Sequence, residues 1–403
     1  MDREKLLIIG GGMAATRLIE ETAAAAPGRY SMTVIGEEPR LAYNRVLLSS
    51  VLAGEAELAD IELRPAQWWR AEGVEFLSGR RAVDIDRAGR VVALDDGARL
   101  PYSKLVLATG SRALRLNIEG AALPGVHTFR DVADVDALSR LGAEGKNVLV
   151  IGGGLLGLEA AYGLVRRGAN VTLAHVMDRL MERQLDAEGG ALLKRLVEAT
   201  GVRVRLVADT ARVGGDGRVQ WAAFADGSLL EVDAVVFAVG IRANAELANK
   251  SGLAVQRGVV VDDGLASSDP NISAIGECAE HRGVCYGLVE PAYEQAHILA
   301  ARLAGRAAQY EGSTVSTNLK VSGVRVFSAG DYLAHSGADI LYCKDPRMGV
   351  YRKLVVQDDR LTGAILIGDT SGARDCLAFI RSGERVADLH ELLFGAPRLD
   401  KAA

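Results

Sequence analysis

The sequence predicts an α/β protein: two Rossmann-like, doubly wound dinucleotide-binding domains followed by a small C-terminal α+β domain. Three observations carry that expectation. A strand, glycine turn and helix open the chain as "LLIIGGGMAATRLIE" (6–20), and the same pattern returns as "NVLVIGGGLLGLEAA" (147–161). Three further apolar runs end in small residues: "KLVLATGSR" (104–112), "AVVFAVGIRAN" (234–244) and "PNISAIGECAEHRG" (270–283). The last segment, 315–403, reads instead as short alternating strands, "KVSGVRVFSAG" and "YRKLVVQDDRLTGAILIG", followed by helical stretches at 371–383 and 385–394. A hairpin turn is expected at Asp358 and Asp359.

Each glycine has a duty. In the first turn, Gly10 permits the tight bend and Gly12 lets the backbone approach a pyrophosphate. Ala15 takes the third position, where close helix–strand packing tolerates alanine. Met13 and Ala14 open the helix, whose free N–H groups and positive end face the phosphates. The next strand, "SMTVIGEE" (31–38), ends in Glu37 and Glu38, and Glu38 is the favoured acceptor for ribose hydroxyls. In the second turn Gly152, Gly154 and Gly157 are all present, with Leu155 and Leu156 opening the helix and Glu159 in its second turn. Its next strand, "NVTLAHV" (170–176), ends in His175 rather than an acid, and Arg179 and Arg183 follow. The pattern alone therefore leaves NADH and NADPH both open.

Two nucleotide folds imply two nucleotides. A fold at the start of the chain, with a second inserted after about residue 110, fits a flavin domain interrupted by a nicotinamide domain. Thr109, Gly110 and Arg112 close one strand, Gly240 closes its counterpart, and Gly276 with Glu277 offers an acid to a ribityl chain. The expected limits are 1–112 and 241–314 for FAD, 113–240 for NAD(P)H and 315–403 for the C-terminal interface domain.

Bulk properties narrow the class. A net charge of −5 gives no electrostatic footprint for nucleic acid. No apolar run reaches spanning length and "MDREKLL" is no signal peptide, so a cytoplasmic protein without membrane attachment is expected. The four cysteines, Cys278, Cys285, Cys343 and Cys376, form no CxxC pair, which argues against zinc, an iron–sulfur cluster or any other metal site. No cysteine precedes residue 278, so a thiol pair beside the flavin is not encoded either.

The stretches "EPRLAYNRVLLSSVLAGE" (38–55), "HVMDRLMERQLD" (175–186), "GECAEHRGVCYGLVEPAYEQA" (276–296) and "LKVSGVRVFSAGD" (319–331) carry a resemblance. The chain resembles the pyridine nucleotide-disulfide oxidoreductase superfamily of two-dinucleotide-fold FAD/NAD(P)H flavoproteins. More narrowly, it looks like the FAD/NADH portion of the assimilatory nitrite reductase large subunit and the stand-alone electron-transfer subunits of nitrate reductases. The resemblance implies NADH as the main donor despite His175. It implies Glu38 and Arg45 at the FAD ribose and pyrophosphate, a backbone contact to adenine near Val83, and Gly276 and Glu277 at the ribityl chain. It places Gly287 and Leu288, within "YGLVEP", along the isoalloxazine, with Thr317 and Lys320 near it. Glu159 matches an acid that positions the nicotinamide. The C-terminal domain would cover the flavin and mediate a homodimer. Ferredoxin-reductase relatives carry a lysine after their "LS" pair, which the nitrite-reductase group lacks and which this chain replaces with Ser50, and the sirohaem and iron–sulfur domains of nitrite reductase have no counterpart in these residues.

The implied activity is hydride transfer from NADH to FAD, then release of single electrons to a separate redox protein. A nitrate or nitrite reductase subunit, a ferredoxin-like carrier or a haem protein would fit, within nitrate assimilation or nitrogen-oxide metabolism. Two rivals stand beside it: a free-standing NADH oxidase using dioxygen, weakened by the absence of a cysteine in "AYNRVLLSSVL", and a slow-turnover redox-sensing flavoprotein.

Overall fold

The computed structural model describes residues 3–314, 316–321, 323–335, 337–386 and 389–394. It divides into two compact units, one of 1–48, 56–112 and 241–313, the other of 49–55, 113–240 and 314–403.

The first unit is organised by a five-stranded parallel sheet. Its order is Ile272–Ala274, Lys104–Leu107, Glu4–Ile9, Tyr30–Gly36 and Val74–Ser78. The opening strand is central, and Leu6, Leu7, Ile8 and Ile9 are all buried. This continuous apolar run is what a strand covered on both faces requires. Helices Met13–Ala25 and Val289–Leu303 pack on one another, and a separate three-stranded antiparallel sheet spans Ala82–Asp86, Val91–Leu94 and Arg99–Pro101.

The second unit repeats the plan. Its parallel sheet has the order Arg203–Arg205, Asn170–Ala174, Asn147–Ile151, Ala234–Phe237 and Val126–Thr128, with Val148 to Ile151 buried at the centre. A five-stranded antiparallel sheet follows, in the order Ser316–Val321, Val324–Gly330, Arg360–Ile367, Val350–Gln357 and Asp339–Asp345. Asp358 and Asp359 both have positive φ, 52° and 60°, the two-residue hairpin geometry that matches strand twist. Helices Ala373–Ser382 and Leu389–Phe394 cover one face over Phe327, Leu354 and Leu366.

Residues 49–55 pack inside this second unit although their chain neighbours belong to the first. Arg167 donates to the carbonyls of Leu52 and Val51 at 2.8 and 2.9 Å, Tyr162 donates to Glu55 at 3.0 Å, and Leu52 fills the space that a side chain at Gly163 would need. The 314–403 segment is tied to the nucleotide fold through Asp186. That carboxylate caps helix Ala187–Glu198 and accepts from Tyr351 and Lys353 at 2.8 and 3.0 Å.

Arg352 holds the C-terminal helices. Its side chain is 2% exposed and donates to the carbonyls of Asp369, Ser371 and Leu392. Arg352→Ala leaves those carbonyls and the Asp369 carboxylate without their cation and should cost about 3–5 kcal/mol. Urea denaturation measures the loss. Hydrogen exchange should rise first over 389–394, and an unchanged exchange profile there would contradict the assignment.

Candidate dinucleotide-binding sites

The first unit brings three turns together. Gly10 has φ +113°, and a Cβ there would overlap the Ala108 carbonyl, so only glycine makes this bend. Gly12 caps helix Met13–Ala25 with no side chain, and nothing lies within 4 Å of where its Cβ would be. No acid occupies the first helical turn, and the N–H groups of Met13, Ala14 and Ala15 have no intrahelical acceptor. Ala15 is 1% exposed and supplies the close packing.

The second turn is Thr109–Gly110, clamped by Asn244. Thr109 Oγ1 donates to the Asn244 carbonyl at 2.7 Å, Asn244 Nδ2 donates back to the Thr109 carbonyl at 3.0 Å, and the Asn244 N–H donates to the Gly110 carbonyl at 2.9 Å. Arg112 joins this clamp, donating to Asn244 Oδ1 and pairing with Glu246. The third turn holds Gly276 and Glu277. Ser111 donates to Glu277 at 2.9 Å, and the Gly276 N–H donates to the buried Gln295 at 2.7 Å. A Cβ on Gly276 would come within 3.1 Å of Ala14 on the first glycine helix. Asn244 and Gln295 are the supports that the motifs do not reveal.

Glu38 lies just past the second strand. It accepts from Tyr43 Oη at 2.8 Å and forms an ion pair with Arg45, whose guanidinium lies 4.9 Å from the Tyr43 ring centre. The two expected ribose and pyrophosphate residues are thus adjacent. Val83 sits at a register shift in its strand, and its carbonyl accepts from Lys250 at 3.0 Å. Gly287 is exposed, and Leu288 caps helix Val289–Leu303. Thr317 belongs to the second unit, buried in the antiparallel sheet opposite Ser328. The backbone of Lys320 pairs with Arg325, and its side chain lies outside the described residues.

The second unit builds the same cradle. Gly152 has φ +122°, and a Cβ there would overlap the Ala238 carbonyl. Gly154 caps helix Leu155–Arg166 with open space at its Cβ position, no capping side chain and no acid in the first turn, where Leu155 and Leu156 stand. A Cβ on Gly157 would overlap the Gly152 carbonyl, so this glycine seats the helix on the turn. Gly240 has φ +119°, and its carbonyl accepts from the Leu114 N–H at 2.9 Å.

His175 is buried, 7% exposed, against the glycine turn rather than in solvent. The Gly153 N–H donates to its Nδ1 at 3.0 Å, and its Nε2 lies 3.0 Å from Glu182 Oε2. Arg179 is engaged elsewhere: Nε donates to the Leu185 carbonyl at 3.3 Å and Nη1 to Asp178 at 2.9 Å. Glu159 is 8% exposed and hydrogen-bonded to Ser49, and burial pushes its carboxyl up to about 8. It is a packed, mostly protonated acid at neutral pH rather than an exposed helix charge.

Both cradles fit a dinucleotide. Each has a glycine-capped helix with unspent N–H donors, no competing carboxylate in the first turn, and open space where a side chain would otherwise stand. The four cysteines are free, and among the described residues no group of three or more His, Cys, Asp or Glu could hold a metal. No helix among them is long and apolar enough to cross a membrane.

Comparison with known proteins agrees with this geometry. Residues 4–301 match the pyridine nucleotide-disulphide oxidoreductase family, and residues 316–384 match the rubredoxin NAD+ reductase C-terminal domain. The chain is 42% identical over 392 residues to the nitrite reductase [NAD(P)H] of Bacillus subtilis (strain 168), covering 97% of this chain and 48% of that protein. It is 40% identical over 371 residues to the assimilatory nitrate reductase electron transfer subunit of the same organism, covering 92% and 48%. It therefore spans about half the length of these two relatives. Among solved structures, the ferredoxin reductase for the CYP199A2 system from Rhodopseudomonas palustris matches with TM-score 0.83 and 28% identity, covering 91% of each chain. NADH:rubredoxin oxidoreductase from Clostridium acetobutylicum matches with TM-score 0.78 and 25% identity, covering 96% and 98%. The chain belongs to the pyridine nucleotide-disulphide oxidoreductase family.

Proposed function

We propose that the first unit holds FAD, that the second holds NADH, and that the chain passes electrons from NADH to a separate redox protein in nitrogen-oxide metabolism. The observation that carries this reading is the duplicated cradle, one copy followed by the Glu38–Arg45 pair and the other by His175. Bound FAD supplies the chemistry, accepting a hydride and returning electrons one at a time.

The residues serve binding and orientation. The N–H groups of Met13 and Ala14 would face the flavin pyrophosphate, Glu38 the adenosine ribose, and Glu277 the ribityl hydroxyls. The N–H groups of Leu155 and Leu156 would face the nicotinamide dinucleotide pyrophosphate. Neutral Glu159 would place an uncharged acid near the nicotinamide end, so no side chain is asked to ionise during turnover. The cysteines stand singly, so these residues offer no thiol pair as an internal acceptor. A nitrate or nitrite reductase subunit or a small iron–sulfur carrier suits the role of the separate redox protein, in the cytoplasm. Support comes from the two Bacillus relatives, whose names join nitrite and nitrate reduction to NAD(P)H and electron transfer.

Anaerobic stopped-flow reduction tests the reading. FAD-loaded protein mixed with NADH should bleach within a second, and more slowly with NADPH. Bleaching that takes minutes with both donors would defeat it.

A further inference from the structure

We propose that Glu182 supplies the carboxylate that binds the adenosine ribose of NADH and rejects the 2′-phosphate of NADPH, in place of the acid missing from the strand end. The inference rests on the second unit binding a nicotinamide dinucleotide and names the residue that selects which one.

In this fold the strand-end carboxylate accepts from the 2′-hydroxyl of the adenosine ribose. Here that position is His175, whose ring is committed. A backbone N–H can only donate, so the Gly153 N–H fixes Nδ1 as the acceptor. The ring proton of the neutral imidazole then sits on Nε2 and points at Glu182 Oε2, 3.0 Å away. His175 is thus a spacer that carries the glycine turn on one nitrogen and a carboxylate on the other.

The backbone makes the same connection independently. The Met181 N–H donates to the Gly153 carbonyl at 3.0 Å, so Gly153 is bonded through both of its peptide groups to the 175–182 loop. Met181 takes φ +50° while 1% exposed, a left-handed conformation that a non-glycine residue adopts only when its surroundings impose it. The bend returns the next residue, Glu182, to the glycine turn from seven positions beyond His175. A Cβ on Gly153 would stand 2.6 Å from the His175 ring, so the arrangement also needs glycine at that point.

The charges agree. Glu182 is about one-fifth exposed, with one oxygen on His175 and Oε1 4.0 Å from Arg183 Nε, which leaves acceptor capacity for a hydroxyl. Arg179, the basic side chain nearest the strand end in sequence, is spent on Asp178 and the Leu185 carbonyl. The exposed Arg183 stands beside this carboxylate, so a 2′-phosphate entering here meets both charges, whereas a 2′-hydroxyl meets an acceptor.

The test is isothermal titration of the FAD-loaded protein with NAD+ and with NADP+, which reads binding without turnover. Wild type should bind NAD+ at least about tenfold more tightly than NADP+, and Glu182→Gln should reduce that ratio about tenfold or more, weakening NAD+ and strengthening NADP+. Glu182→Asp, which keeps the charge but shortens its reach, should fall between them. If Glu182→Gln does not fold, the aspartate variant carries the test alone, retained FAD absorbance reporting its fold. A Glu182→Gln protein that binds both dinucleotides more weakly with the ratio unchanged would give the residue a purely structural role and overturn the proposal. Wild type preferring NADP+ would overturn it too, while leaving flavin reduction intact. Wild type that binds neither dinucleotide would overturn both this inference and the function it rests on.

Discussion

Gly12→Val is expected to give a folded protein that purifies without colour. Gly12 has φ −100° and ψ −163°, extended backbone that valine adopts readily, and its Cβ position meets no atom of the chain within 4 Å. The folding cost is the modest one of a poorer helix cap, about 1 kcal/mol or less. The space a valine fills is the approach to the N–H groups of Met13 and Ala14, which a pyrophosphate must reach. FAD affinity should drop at least about a hundredfold, the loss expected when several charge-assisted hydrogen bonds are blocked together. Gly10→Ala makes the contrast. At φ +113°, with the Ala108 carbonyl in the way, alanine strains the backbone and pushes the central strand from its neighbour, at a cost of about 3 kcal/mol or more. The first variant should keep its melting transition and lose absorbance near 450 nm. The second should lose both. A yellow Gly12→Val protein with full FAD would remove the first cradle from the flavin site.

Gly10 and Gly12 also show what a sequence can display. Strand, turn and helix are consecutive in the chain, so the glycine spacing encodes the geometry directly, as it does at Gly152 and Gly154. The Asp358–Asp359 hairpin is legible for the same reason: a two-residue turn with positive φ at both positions favours aspartate and lies between alternating strands. What hides is side-chain support across long separations. Gln295 receives the Gly276 N–H from 19 residues away and Asn244 clamps Thr109 from 135 away, and neither spacing leaves a local pattern. Residues 49–55 follow the first nucleotide fold in the chain, yet their carbonyls are bonded by Arg167 on the second, more than a hundred residues on. His175 marks the limit most clearly. The sequence reveals that the usual acid is absent, but the direction of the ring depends on Gly153, and the return of Glu182 depends on a left-handed Met181. Backbone strain at a non-glycine residue is a property of the folded loop that no propensity announces.

Glu159→Gln should make the protein more stable at alkaline pH, and the difference should grow with pH across a defined window. In the folded chain the Glu159 carboxyl is pushed up to about 8 by burial, while its ordinary value is 4.5. Between those limits the folded state keeps the proton and the unfolded state has released it. The folded protein therefore binds more protons, and stability falls as pH rises through the window. Below about pH 4.5 both states are protonated, and above about pH 8 both are ionised, so the difference is flat at either end. A shift of this size corresponds to a loss on the order of 4–5 kcal/mol across the window. The glutamine variant is neutral throughout, is nearly isosteric, and can still pair with Ser49, so it lacks that slope. Urea denaturation of both proteins at several pH values between 4.5 and 9 isolates the effect, because every other titrating group cancels in the difference between them. The two should nearly coincide at the acid end and diverge progressively toward pH 8. Parallel curves would mean that Glu159 is hydrated and ionised in the folded protein. The neutral acid assigned to the nicotinamide end would then have to be replaced by a carboxylate, with a charge to be balanced there at every turnover.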